Sequence, residues 1–155
     1  PIPAQDRVEV LDFLRTFVDK CHHSKEEGFL FPALQDAGTD RDRVMVKRLL
    51  EEHEQGRVLV RRLADAQEWS ADAVVGGDAA ETPLSLMTVY VRLLRQHIEA
   101  EEKALFPAAD GELPTETQAE AEDYYGRIEE DIIGEGRHEA FHRTLTRLRG
   151  IYVPV

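Results

Sequence analysis

The sequence holds a single cysteine, Cys21. That excludes an internal disulfide, and it excludes zinc-finger or iron–sulfur ligation, which need several thiolates. No apolar run approaches the roughly 18 residues of a membrane span, and no signal-peptide pattern is visible. Positive charge is scarce: 19 Lys and Arg stand against 31 Asp and Glu, a net charge of -12. Nucleic acid and anionic membranes need basic patches, so neither is expected as a partner. These features together describe a cytoplasmic protein. The acidic surplus fits a solvated surface, and it also fits a site for cations. Apolar residues make up 42% of the 155, enough for one core, so residues 1–155 are expected to form a single domain.

No segment alternates with period two for long enough to be a strand. Pro and Gly instead divide the chain into four long segments of helical periodicity. The first runs from about Asp6, with Glu9 as its capping partner, to Ala37 before Gly38. The second runs from about Asp40 to Trp69 and is followed by a loop, "SADAVVGGDAAE". The third starts at Thr82-Pro83, a cap followed by proline at the first helical position. It ends near Ala109, before "DGELP". The fourth runs from Thr115, with Gln118 completing a capping box, to about Tyr152, and Gly126, Gly134 and Gly136 can bend it. Four amphipathic helices with short connections predict an all-α fold, an antiparallel four-helix bundle of up-down-up-down topology.

One phrase occurs twice. "HHSKEEGFLFP" at 22–32 and "HIEAEEKALFP" at 97–107 share H-x-x-x-E-E-x-x-L-F-P. Each lies in the last turns of a long helix, where its proline is expected to terminate or kink the helix. A stripe counted in steps of three and four through the first segment gives Leu11, Leu14, Val18, His22, Glu26, Phe29 and Leu30. It puts His22 and Glu26 on the core face and His23 on the solvent face. The third segment gives Leu86, Tyr90, Leu94, His97, Glu101, Ala104 and Leu105. In the second, His53 shares a face with Val46, Leu49, Gly56 and Val60. In the fourth, Tyr124, Ile128, Ile132, Glu135, His138, His142 and Leu145 form one stripe. His23, Glu27 and Glu102 are read as solvated or supporting residues.

A lone histidine on an apolar face is usually a satisfied core residue. A glutamate there needs a cation or a hydrogen-bond partner, because burying an unpaired carboxylate is costly. Five inward histidines and two inward glutamates therefore predict a metal site of His22, Glu26, His53, His97, Glu101, His138 and His142. Imidazole with carboxylate suits iron, manganese or zinc, and the lack of thiolate disfavours copper(I). Seven donors exceed one tetrahedral zinc. They suit two six-coordinate metals bridged by the glutamates, with a position open for a small ligand. Ferritin-like sites use E-x-x-H motifs, and only Glu135 with His138 offers one on a core stripe.

The sequence resembles the hemerythrin-like family, also called HHE cation-binding domains. The resemblance rests on His22-x-x-x-Glu26, on His53 followed by "EQGR", on His97-x-x-x-Glu101 and on both "LFP" tails, and it covers residues 8 to 109. It implies a four-helix bundle with a non-haem centre of two Fe ions, bridged by carboxylates and an oxo or hydroxo group, with Mn or Zn as alternatives. It also implies binding or sensing of a small gaseous or peroxide ligand: dioxygen, nitric oxide or peroxide. The family usually begins with a further helix carrying one ligand histidine, which residues 1 to 7 do not supply. Either that helix lies upstream of this chain, or the fourth segment fills its place with His138 and His142. The second option is the expectation taken here. An oxidase or peroxidase at the same centre is the alternative function. A remoter one is a zinc hydrolase through His138-Glu139-Ala140-Phe141-His142, which matches H-E-x-x-H but has no His, Asp or Glu after it.

Overall fold

The computed structural model describes residues 1–66, 68–70, 73, 75 and 81–153. Regular structure among them is helical, apart from isolated bridge residues that include the antiparallel pair Ile2 and Trp69. Helix α1 covers residues 4–37, α2 Asp40–Asp65, α3 residues 83–112, α4 residues 115–133 and α5 Arg137–Tyr152. The loop expected over 70–81 lies largely outside the described residues. No helix among the described residues is long and apolar enough to cross a membrane.

Helix ends follow local chemistry, though not always at the residues expected. Thr82 caps α3 in a reciprocal box with Ser85, and Pro83 follows it. Thr39 caps α2 in the same way with Asp42. Asp6 does not cap α1, which starts at Ala4 after Pro3; it is buried and accepts hydrogen bonds from Arg147 (2.7 Å) and Tyr152 (2.6 Å) of α5. Thr115 and Gln118 form no box either: Pro114 precedes α4, and Gln118 donates to the Leu113 carbonyl.

Three of the long helices contain π-helical stretches, in which backbone bonds run from i to i+5. They are Phe13–His23 and Glu26–Leu30 in α1, Glu101–Leu105 in α3 and Glu129–Ile133 in α4. Pro32 and Pro107 each stand second after such a stretch, and neither ends its helix, contrary to expectation. The change of register there already leaves a backbone group without its α-helical partner, so the missing proline N–H costs little at that point.

Helix α2 packs along α3, and the π stretch of α4 lies against the long π stretch of α1. Tyr124 of α4 sets its hydroxyl so close to Gly28 that a Cβ there would lie 2.0 Å from the oxygen. The break between α4 and α5 falls at Gly134 and Gly136, with φ of 72° and 75°. Only glycine holds that backbone readily. The break resets the helical phase, and α5 buries Phe141 and Leu148. The single stripe expected through Glu135, His138 and His142 is therefore not continuous, and all three residues are exposed.

Two apolar layers bracket the middle of the bundle. Leu30, Phe31, Leu34, Val46, Leu49, Leu105 and Leu113 form one. Leu14, Val18, Val60 and Tyr90 form the other. In sequence, the repeated H-x-x-x-E pairs and His53 fall between them.

Candidate metal centre

Four buried side chains converge in that gap: Glu26 from α1, His53 from α2, and His97 and Glu101 from α3. One donor atom from each lies within 4.8 Å of all the others. His53 and His97 approach Nε2 to Nε2 at 3.1 Å. His53 Nε2 is 3.2 Å from Glu26 Oε2, and His97 Nε2 is 2.6 Å from Glu101 Oε1. A second group, His23, His53 and His97, meets the same distance limit. Its ring stacking is close, with the His23 and His53 centroids 3.7 Å apart.

Helical phase explains which residues arrive. In α2 and in α3 up to Glu101 the helix is of α type, so His53, His97 and Glu101 face inward as the stripes predict. In α1 the π stretch lengthens each turn by close to one residue. The face carrying Leu14 and Val18 therefore passes on to His23 rather than His22. The expectation for this pair is corrected: His23 is buried, and the His22 side chain is 41% exposed. His22 still aims its Nε2 at the carboxylates, 3.7 Å from Glu26 Oε1 and 3.6 Å from Glu101 Oε1.

The outer ring nitrogens are all tethered. His53 Nδ1 meets Glu27 Oε1 at 2.7 Å, His97 Nδ1 meets Glu52 Oε2 at 2.9 Å, and His23 Nδ1 meets Asp19 Oδ1 at 3.3 Å. Each carboxylate is held in turn by an arginine. Arg57 donates to both Asp19 (2.7 Å) and Glu27 (2.6 Å), and Arg48 pairs with Glu52 at 3.1 Å. A carboxylate on Nδ1 fixes the proton there and leaves Nε2 as a lone-pair donor, the usual support of a metal-bound histidine.

The electrostatics carry the same message. Burial, then the neighbouring His53, His22, His97 and Arg57, lowers the His23 pKa to about 2, so the ring is neutral. Burial raises the Glu26 carboxyl above its ordinary range. Burial acts the same way on Glu101, but His22 and His97 outweigh it and bring that carboxyl down. Tyr125 of α4 feels both burial and the Glu26 charge, which push its hydroxyl up to about 12.

A cation fits this donor set. Glu26 Oε1 and Oε2 and Glu101 Oε1 are buried and take part in no hydrogen bond, a costly state for carboxylate oxygens. The 2.6 Å approach of His97 to Glu101 is therefore a close contact without hydrogen-bond geometry. With both Nδ1 atoms directed at carboxylates, the facing Nε2 atoms of His53 and His97 share a proton or a metal ion between them.

Four of the seven expected donors come together, Glu26, His53, His97 and Glu101, and His22 stands beside them, half-exposed and outside both groups, with its Nε2 3.6 Å from Glu101 Oε1. His138 and His142 belong to neither group of donors; their rings lie 4.7 Å apart on exposed α5, and His138 faces Phe17. Sequence reasoning missed His23, Asp19, Glu52 and Arg57. The available signals were the i,i+4 spacings Asp19 to His23 and His53 to Arg57, which place each support one turn from a ring. Glu102 is exposed, whereas Glu27 supports His53.

An uncharacterized protein of Mycobacterium bovis and uncharacterized proteins of two Mycobacterium tuberculosis strains are each 33% identical to this chain over 108 residues. Those residues are 70% of this chain, which spans about 40% of the length of these relatives. No solved structure matches the chain significantly. The family model of the hemerythrin HHE cation binding domain matches residues 2–109, a span that holds all the converging donors and more than half the chain, so the protein belongs to that family.

Proposed function

We propose that this chain is a non-haem iron protein whose buried cluster holds two iron ions and binds or senses a small ligand: dioxygen, nitric oxide or peroxide. The observation that carries the reading is the set of buried oxygens on Glu26 and Glu101 that form no hydrogen bond, facing histidine nitrogens whose outer atoms are already committed. His22, His23, His53, His97, Glu26 and Glu101 are the residues that would hold the metal. Mixed imidazole and carboxylate donors suit iron, with manganese or zinc as alternatives, and six side chains exceed one tetrahedral zinc. Bound iron would supply an open coordination position and one-electron chemistry toward the small ligand.

The protein residues do the rest. Glu26 and Glu101 offer two oxygens each, enough to bridge neighbouring ions. Asp19, Glu27 and Glu52 hold the rings in place, and burial keeps bulk water from the donors. Those three carboxylates are engaged with ring nitrogens, which favours binding or sensing over turnover. The test is to load the protein with ferrous iron without air, add nitric oxide and follow the visible absorption. A new band in the wild type that is lost in Glu101→Ala supports the reading. No band in the wild type, or equal bands in both, contradicts it.

A further inference from the structure

Gly56 lies in the interior of α2, buried, three residues beyond His53. Glycine at such a position is less stable than alanine, so its presence asks for a steric reason. Packing does not supply one. A Cβ at Gly56 would meet a single atom within 4 Å, Tyr90 Cε2 at 3.7 Å, which is ordinary contact. Gly28, by contrast, is required by the Tyr124 hydroxyl. A buried Cβ with so few neighbours would stand in internal space.

That space has two parts. A pocket of about 230 Å³ lies between α1 and α2, with Leu14, Val18, Val60 and Tyr90 among its walls and His23 also lining it. A chamber of about 20 Å³ lies against His23, His53 and His97, with the half-buried Leu93 and Leu94 also lining it. His23, Gly56 and Tyr90 line both. We infer that Gly56 keeps open a passage between the pocket and the chamber, through which one neutral diatomic molecule at a time reaches the donor cluster.

Size and polarity define the class of ligand. About 10–15 Å³ by the same measure holds one water, so the chamber takes one molecule of that size. The outer walls combine aliphatic Leu14, Val18 and Val60 with Arg15, Asp19, Lys20, Arg57 and Arg61. Of the cations at the pocket, Arg57 and Arg61 are engaged by Asp19, Glu27 and Glu54, and Arg15 and Lys20 are exposed at its rim, so size and the leucines at the chamber define the ligand. Dioxygen and nitric oxide share the required chemistry.

The inference rests on the reading that the cluster holds iron, and the experiment separates the two. Full-length wild type, Gly56→Ala and Gly56→Val are loaded with ferrous iron, assayed for metal and mixed with nitric oxide in a stopped-flow instrument. Gly56→Ala should bind nitric oxide about tenfold more slowly, the low end of what one carbon does in a fitted pocket. Gly56→Val should be slower still, with iron content unchanged in Gly56→Ala. Equal rates in all three proteins overturn the passage. Absence of iron or of nitric oxide binding in the wild type overturns the iron reading and the passage with it. Melting of the metal-free proteins gives an independent readout. Gly56→Ala should melt at or above the wild-type temperature; a lower value would show that packing requires the glycine and would overturn the passage whatever the metal.

Discussion

His53 and His97 point their Nε2 atoms at each other across 3.1 Å, while Glu27 and Glu52 hold their Nδ1 atoms from behind. Two imidazoles so arranged, with both Nδ1 atoms turned to carboxylates, share either a proton or a metal ion between their Nε2 atoms. The rest of the centre follows from that pair: Glu26 and Glu101 close on it from α1 and α3, and His22 and His23 flank it.

His23 is the candidate donor that the π stretch of α1 turns inward. His23→Ala should lower iron retention at least as far as His22→Ala does, measured as metal per chain after desalting. A silent His23→Ala would show that the ring only packs on His53.

The tethering carboxylates should set metal affinity through the rings they hold. Glu27→Gln and Glu52→Gln should each weaken metal binding by about 10- to 100-fold, the usual effect of losing such a support. Competition with a chelator of known affinity measures it. Glu102→Gln, on the exposed face of α3, is the matched control and should change nothing.

Much of this centre was legible in the sequence, and the reasons are local. The stripes through Val46, Leu49, His53 and Val60, and through Leu86, Tyr90, His97 and Glu101, run along α-helical backbone, so counting by 3.6 gave the right face. The π stretch in α3 begins only at Glu101, downstream of the histidine. In α1 the π stretch precedes the pair, and the same count exchanged His22 and His23. The stripe through His138 and His142 failed because Gly134 and Gly136 reset the phase between α4 and α5. Arg57 reaches Asp19 and Glu27 across from α2 to α1, a contact that periodicity does not report, whereas Arg48 and Glu52 are an i,i+4 pair within α2.

Buried carboxylates should make the metal-free protein less stable. Glu26→Gln should raise the melting temperature without metal, because it removes one of two like charges from a buried site. The same variant should lose most of the further rise that iron gives the wild type through binding only the native state. Thermal melts with and without iron check both. A Glu26→Gln variant that melts lower without metal would show that the carboxylate is satisfied by the protein alone.

Acid should destabilise the metal-free protein through His23. Its folded pKa is about 2, against 6.5 in its ordinary state. Between those values the unfolded chain takes up a proton that the native ring refuses, so stability falls as pH drops below 6.5. His22 and His97 are shifted upward and act in the opposite sense. Urea denaturation of wild type and His23→Gln from pH 7.5 to 4.5 isolates the His23 contribution. The wild type should lose stability more steeply than the variant, and parallel curves would contradict the neutral buried ring.

Gly28 tests how α4 docks on α1. A Cβ there would sit 2.0 Å from the Tyr124 oxygen and 2.9 Å from Cζ, so the rigid ring must swing away. Gly28→Ala should cost about 1–3 kcal/mol, as overpacking does. In a Tyr124→Ala background the same change should cost much less, and denaturant melts of the four proteins provide the comparison.

The most direct test of the centre is the metal content of the full chain after ferrous loading without air and exhaustive desalting, measured by inductively coupled plasma mass spectrometry. Wild type should retain two iron ions per chain, and a His53→Ala/Glu101→Ala double variant close to none. Substoichiometric iron in the wild type, or equal retention in the two proteins, would contradict the assignment of His53, His97, Glu26 and Glu101 as its core.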